Sequence, residues 1–193
     1  MLRIYGDLIS GNCQKVKWCA DYLTIPYEWV QVDIMQGETR TPEFLALNPA
    51  HQVPTVVLDD GRPLAQSNAI CLHLAQGSDL IPKDSYARAK MMEWLFWEQY
   101  SHETAVAVQR FQVRYLGKAV ADLDPALVAK SGAALARLDL GLEDRDWLVG
   151  ETLTLADLCL LPYTRMAPEG GIDLAAYGNI GPWIERASAA LRV

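Results

Sequence analysis

The chain changes character once, between residues 77 and 85, and that change limits its fold more than any other feature. "GSDLIPKDS" sets Gly77 and Pro82 among small polar and acidic residues, between two apolar-periodic segments, and reads as a linker. Before it, short β-type runs mix with short helical stretches; after it, every strong signal is helical. With 193 residues the chain can build two small cores. The division predicts residues 1–77 as one domain, 78–85 as a linker and 86–193 as an all-helical domain.

The first segment opens with "LRIY" as a strand, residues 13–23 as a helix with Val16, Cys19, Ala20 and Leu23 on one face, and "YEWVQVD" as a second strand by its period-two alternation. A helical turn at "TPEFLAL" follows. "TVVL" and "PLA" then flank the turn residues Asp59, Asp60 and Gly61 as a hairpin. Ser67 is expected to cap a helix burying Ile70, Leu72 and Leu74. The order is β-α-β-α-β-β-α, an α/β domain, followed by a helical bundle.

In the second segment, residues 86–116 lack Gly and Pro and end at Gly117, which predicts one long helix. Asp124 and Pro125 form an N-cap and N1 pair for a helix lined by Leu127, Leu135, Leu138 and Leu142. "LTLADL" is a capping box, Thr154 at the N-cap and Asp157 at N3, with Leu153 and Leu158 placed for a hydrophobic staple. Gly181-Pro182 opens the last helix, which carries Trp183.

Charge excludes some partners. Seventeen Lys and Arg against 24 Asp and Glu give a net charge of −7, with no basic run to follow a phosphate backbone, so nucleic acid is not expected. No apolar stretch is long enough to span a bilayer, and the start lacks the pattern of a signal peptide, so no membrane association and a cytoplasmic location are expected. Cys13, Cys19, Cys71 and Cys159 show neither framework nor zinc-ligand spacing. Neither a disulfide nor a metal is expected.

Two stretches carry chemistry. Ser10-Gly-Asn-Cys13 has the outline of C-x-x-C with a serine in first place. It reads as an altered disulfide motif, a plain helix start, or a site for a sulfur that another molecule supplies. "NPAHQVPTVVLDDGRPLAQSNAI" places Pro54 directly before a strand. A trans proline is common at a strand's first residue, whereas a cis Val53-Pro54 bond would free the backbone of Val53 to pair with an extended peptide. Twelve residues on, Gln66-Ser67 at a helix start offers free N–H groups and a hydroxyl to an anion. Together the two describe a pocket for a small acidic peptide.

On these residues the chain resembles a cytosolic glutathione S-transferase: a thioredoxin-like domain with the V-P loop and "QSNAI", then a helical domain with "LTLADL". "YGDLISGNCQKVKW" and "GETRTPEFLALNP" are most similar to bacterial serine-type, theta-like members and to related disulfide-reducing groups. The resemblance implies glutathione as co-substrate, no metal, and a homodimer. It implies Ser10 as the catalytic serine, with Asn12 where some disulfide-reducing relatives keep a functional asparagine. Val53, beside a cis Pro54, would clamp the cysteinyl backbone, Gln66 and Ser67 the γ-glutamyl carboxylate, and His51 with Gln52 the glycyl end.

The chemistry fits that assignment. A cysteine thiol, with a pKa of about 8.5, is mostly protonated at neutral pH, and the thiolate is the nucleophile. A hydroxyl at Ser10 and the start of the following helix both favour the anion. The second substrate is expected to be a small apolar electrophile held by the helical domain, whose Met91, Trp94, Leu95, Trp97, Phe111 and Tyr115 are mainly core. Tyr100, His102, Gln109 and Arg110 are candidates for polarising it. Competing readings are a glutathione-dependent disulfide or peroxide reductase, favoured by Asn12 and an exposed Cys13, and a non-catalytic glutathione-binding or interaction module.

Overall fold

The computed structural model describes residues 1–193 and divides into two compact units, Met1–Ile81 and Pro82–Val193. The first is a four-stranded mixed sheet with three α-helices. β1 (Leu2–Gly6) buries Leu2 and Ile4 and exposes Arg3, the alternation of a half-buried strand. α1 (Gly11–Tyr22) returns the chain to β2 (Tyr27–Gln31), which runs parallel to β1.

α2 (Pro42–Leu47) starts with Thr41, whose hydroxyl accepts from Phe44 N–H at 3.3 Å. β3 (Thr55–Val57) pairs antiparallel to β1 and to β4 (Pro63–Ala65), giving the order β2-β1-β3-β4. The hairpin closes at Gly61, whose φ of 87° needs a residue without Cβ.

α3 (Ser67–Leu74) differs from expectation at its start. Gln66 is the N-cap, and Ser67 is the first helical residue, its hydroxyl turned to another helix rather than to its own backbone. Ile70 is buried as expected, but Cys71 is buried with it while Leu72 and Leu74 are half-exposed. The register that buries Ile70 at a period of 3.6 residues brings in its neighbour at 71 and leaves 72 and 74 to the flanks. On α1 the inward face holds Cys13, Val16, Cys19 and Ala20, and also Lys15, which is fully buried.

The second unit is helical. α4 (Ser85–Trp97) continues into a π-helical segment, Glu98–Ala107, and then α5 (Val108–Arg114). One uninterrupted α-helix was the expectation. Apolar spacing does not distinguish i→i+5 from i→i+4 bonding over so short a stretch, and the wider turns carry His102 inward to Thr164 Oγ1 at 3.0 Å.

α6 (Pro125–Gly141) begins at Asp124 and buries Leu135, Leu138 and Leu142, with Leu127 half-exposed. α7 (Leu155–Arg165) opens with a complete capping box. Thr154 Oγ1 accepts from Ala156 N–H, and Asp157 accepts from Thr154 N–H at 3.0 Å. α8 (Ile180–Leu191) starts after Asn179, one residue ahead of the expected Gly181, so Pro182 falls in the first turn where no intrahelical N–H is required. Trp183, at 0% exposure, donates its indole N–H to Asp157 Oδ1 at 3.0 Å, tying α8 to the capping box. No helix is long and apolar enough to cross a membrane.

Candidate functional site

Strand register decides which candidates meet. Tyr5 pairs with Thr55, and Thr55 with Ala65. Beyond that row, β1 runs out through Gly6 toward Ser10, β3 is entered from Val53-Pro54, and β4 leaves into Gln66-Ser67. Three stretches far apart in sequence therefore share one end of the sheet.

Ser10 is the N-cap of α1 by backbone geometry, with φ −85° and ψ 122°, yet its side chain makes no capping bond. Its carbonyl accepts from Cys13 N–H and Gln14 N–H, both at 3.1 Å. The sulfur of Cys13 accepts from Asp7 N–H at 3.4 Å, and the Ser10 side chain favours its anionic form. Cys13 is fully buried, and that burial pushes its thiol up to about 11 against the pull of the Asp7 N–H and the Ser10 hydroxyl. It is a protonated packing residue at neutral pH rather than a thiolate.

Asp7 was not anticipated. Its buried carboxylate accepts from Ile9 N–H at 3.3 Å and Ile34 N–H at 3.2 Å, and its carbonyl accepts from Ser10 N–H at 3.0 Å. One residue, through its side chain and its carbonyl, thus fixes the loop that presents Ser10. Nothing in the spacing of a single aspartate after a strand announces that role.

Across from α1, Ser67 Oγ donates to Asn12 Oδ1 at 2.9 Å, and Lys15 Nζ reaches Asn68 Oδ1 at 3.5 Å. These two links hold α1 against the start of α3, one helical turn apart on α1. Gln66, at φ 71° and ψ 111°, is exposed, in a conformation few non-glycine residues adopt.

The Val53-Pro54 peptide bond is cis. Pro54 is buried, Val53 half-exposed, and no hydrogen bond within the chain engages the Val53 backbone. His51 and Gln52 are exposed, His51 with φ 46°. The loop is held from beneath by Asn48, a second residue that sequence reasoning missed. Its Nδ2 donates to Gln52 O at 2.9 Å and to Thr55 Oγ1 at 3.1 Å, while its Oδ1 accepts from Ala50 N–H at 3.0 Å. The Asn48-Pro49 dipeptide does carry a turn signal, since asparagine side chains commonly bond the backbone two residues on.

The helical unit redistributes the other candidates. His102, Gln109 and Arg110 are buried and used in packing: His102 with Thr164, Gln109 Nε2 donating to Gly170 O at 2.9 Å, and Arg110 Nε to Glu169 Oε2 at 2.8 Å. They hold the unit together and face no solvent. Tyr100 alone of the four is exposed, at 85%. Thr154 and Asp157 belong to the framework, as their burial shows. No group of three His, Cys, Asp or Glu is arranged to hold a metal ion. A groove of about 330 Å³ lined by Leu2, Leu58, Arg62 and Leu74 lies at the other end of the sheet and contains none of the candidates.

The site thus offers a hydroxyl at a helix start, a second helix start with a buried serine, and an unpaired backbone stretch between them. Those are the means to hold a thiolate, a carboxylate and an extended backbone.

Comparison with known proteins follows the same division. Residues 9–76 match the model of the glutathione S-transferase N-terminal domain, and residues 97–190 that of the C-terminal domain. The chain is 28% identical to the disulfide-bond oxidoreductase YfcG of Escherichia coli, over 92% of this chain and 86% of the relative. It is 29% identical to glutathione S-transferase theta-1 of Mus musculus, covering 99% of this chain and 84% of the relative. A crystal structure of a glutathione S-transferase from Pseudomonas fluorescens superposes with a TM-score of 0.93 at 40% identity, covering 97% of this chain and 94% of that one.

Proposed function

Because the chain belongs to the glutathione S-transferase family, we propose that it is a glutathione transferase in which Ser10 donates to the glutathione sulfur and holds it as thiolate for attack on a small apolar electrophile. Activity related to glutathione follows from the family. The finer reading rests on one observation: Ser10 stands at the N-cap of α1, and its side chain makes no capping bond to that helix. A hydroxyl not spent on its own helix can donate to an anionic sulfur at the helix start.

Val53 supplies free backbone groups for the cysteinyl residue, Gln66 and Ser67 receive the γ-glutamyl carboxylate at the start of α3, and His51 with Gln52 stand exposed for the glycyl end. Each pKa unit of thiol depression needs about 1.4 kcal/mol, and one charge-assisted hydrogen bond is worth roughly 1.5–3 kcal/mol. Ser10 therefore accounts for about one to two units. No metal takes part in this reading. Exposed Phe96 and Tyr100, at 68% and 85%, give the helical unit an apolar face for the second substrate or for a second copy of the chain, a homodimer in the cytoplasm.

The test is the ultraviolet absorbance of enzyme-bound glutathione thiolate across pH, in wild type and Ser10→Ala. The reading expects the titration to move up by at least about one unit; an unchanged curve removes Ser10 from its role.

A second reading, a glutathione-dependent disulfide or peroxide reductase, is supported by the similarity to the oxidoreductase YfcG. With Cys13 buried and protonated, both sulfurs of the exchanging disulfide come from the ligands. Turnover of an aryl halide compared with that of a small glutathione-linked disulfide separates the two reactions. A non-catalytic module would bind glutathione and turn over neither.

A further inference from the structure

Asp7 uses all four of its polar atoms, each on a different stretch of the first unit. Its N–H donates to Cys13 Sγ at 3.4 Å, its carbonyl accepts from Ser10 N–H at 3.0 Å, Oδ1 accepts from Ile9 N–H at 3.3 Å, and Oδ2 accepts from Ile34 N–H at 3.2 Å. The residue is 6% exposed. The first three bonds stay within residues 7–13. The last crosses to residues 33–38, which follow β2.

That crossing bond ends on a firm anchor. Asp33 Oδ1 accepts from Met35 N–H at 2.9 Å and from Gln36 N–H at 3.0 Å, Asp33 O accepts from Glu38 N–H at 3.1 Å, and Glu38 Oε2 accepts from Asp33 N–H at 2.6 Å. The amide of Ile34 is the one that leaves this turn, and Asp7 takes it. The loop 7–10 is less well held on its own: Leu8 is exposed, its carbonyl accepting from Gln14 Nε2–H at 2.8 Å. A hydroxyl at the end of such a loop keeps its direction only as well as the loop is anchored.

We propose that Asp7 is a positioning residue: it ties the loop 7–10 to residues 33–38 so that the Ser10 hydroxyl points at the ligand's sulfur. This inference deepens the glutathione reading above and rests on it. Asp7 acts through Ser10 and touches no reacting atom. Hydrogen bonds weaken steeply as their angle falls, so a loop that swings loses thiolate without losing the hydroxyl.

The charge of Asp7 works in the opposite direction. Burial raises the Cys13 thiol most, and the negative charge of Asp7 raises it further. The same charge opposes a ligand thiolate at the start of α1. Removing the charge alone would favour that thiolate, whereas removing the anchor disfavours it. The sign of the effect separates position from charge.

The experiment follows the ultraviolet absorbance of bound glutathione thiolate across pH in the full chain, for wild type, Asp7→Asn, Ser10→Ala and the double variant. Asparagine has one acceptor oxygen for two N–H groups, so one of the bonds to Ile9 and Ile34 is lost. Asp7→Ser keeps an acceptor within reach of Ile9 N–H and falls short of Ile34. Both single variants at position 7 are expected to move the titration up by at least about half a unit, a loss of about threefold in thiolate on its acid side. In the Ser10→Ala background, Asp7→Asn is expected to give no upward shift.

An unchanged or downward titration in Asp7→Asn and Asp7→Ser, or an equal upward shift without the Ser10 hydroxyl, would overturn the positioning role and leave the glutathione reading standing. Failure of both variants to fold, read by far-ultraviolet circular dichroism, would also overturn it, by making Asp7 part of the framework. Absence of bound-thiolate absorbance in wild type overturns the glutathione reading and this inference together.

Discussion

Removing the carboxylate of Asp157 is expected to cost more stability than any other single polar truncation in the helical unit. Asp157 is fully buried and accepts four hydrogen bonds: Leu148 N–H at 3.0 Å, Trp183 Nε1–H at 3.0 Å, Thr154 N–H at 3.0 Å and Thr154 Oγ1–H at 3.1 Å. Asp157→Ala strands three N–H donors, each worth about 1–3 kcal/mol. The Thr154 hydroxyl rotates and loses less. Relief from burying a carboxylate offsets part of the sum, leaving a net loss of about 3–5 kcal/mol.

Two further variants order the contributions. Trp183→Phe removes one donor together with its hydrogen bond and is expected to lose about 1–2 kcal/mol. Asp157→Asn keeps the outline but turns an N–H₂ toward the Thr154 N–H, and falls between the two. Urea unfolding of the full chain, followed by far-ultraviolet circular dichroism, gives the series. An Asp157→Ala loss below about 1 kcal/mol, or Trp183→Phe as damaging as Asp157→Ala, would refute the reasoning.

The pH dependence has a sign. Burial pushes the Asp157 carboxyl above its ordinary range, while the bonds from Leu148, Trp183 and Thr154 pull it back. A carboxyl raised in the folded state binds its proton more tightly there than in the unfolded chain. Its contribution is thus full below the unfolded value and declines as pH rises through the folded one. The gap between wild type and Asp157→Asn is therefore widest on the acid side.

Asn48→Ala removes the acceptor of Ala50 N–H and the donor to Gln52 O and Thr55 Oγ1, which keep their own bond at 3.1 Å, and is expected to lose about 1–3 kcal/mol of stability and to weaken glutathione binding, read by unfolding and by calorimetry. Unchanged affinity would show that the loop holds its shape without it. All four cysteines are buried, so a thiol reagent is expected to label none of them quickly in the native chain and all four in denaturant; a fast-reacting single thiol would contradict the packing assigned to Cys13.

Local patterns made much of the fold legible. The alternation in "LRIY", the Asp59-Asp60-Gly61 turn and the Asp124-Pro125 pair each describe a preference of a few neighbouring residues, and the structure places an element at each. Thr154 and Asp157 were readable for the same reason, since a capping box closes within four residues. The start of α3 was not. Ser67 looks like a cap by its type, and only the presence of Asn12 on another helix turns its hydroxyl away.

The same limit applies to His102, Gln109 and Arg110, polar residues that the sequence leaves free for a site. Their partners Thr164, Gly170 and Glu169 lie about sixty positions away, and no local pattern encodes that pairing. What the sequence by itself determined is the strands, most of the helices and the residue types that can hold a thiolate, a backbone and a carboxylate, but not the π-helical segment between α4 and α5. What the tertiary structure decided is which polar group faces which partner: Ser67 on Asn12, Asp7 on the sulfur of Cys13 and on Ile34, and Asn48 beneath the Gln52–Thr55 loop. Hydrogen bonds depend on distance and angle in space, and those are fixed only when β1, β3 and β4 bring three separate stretches to one end of the sheet.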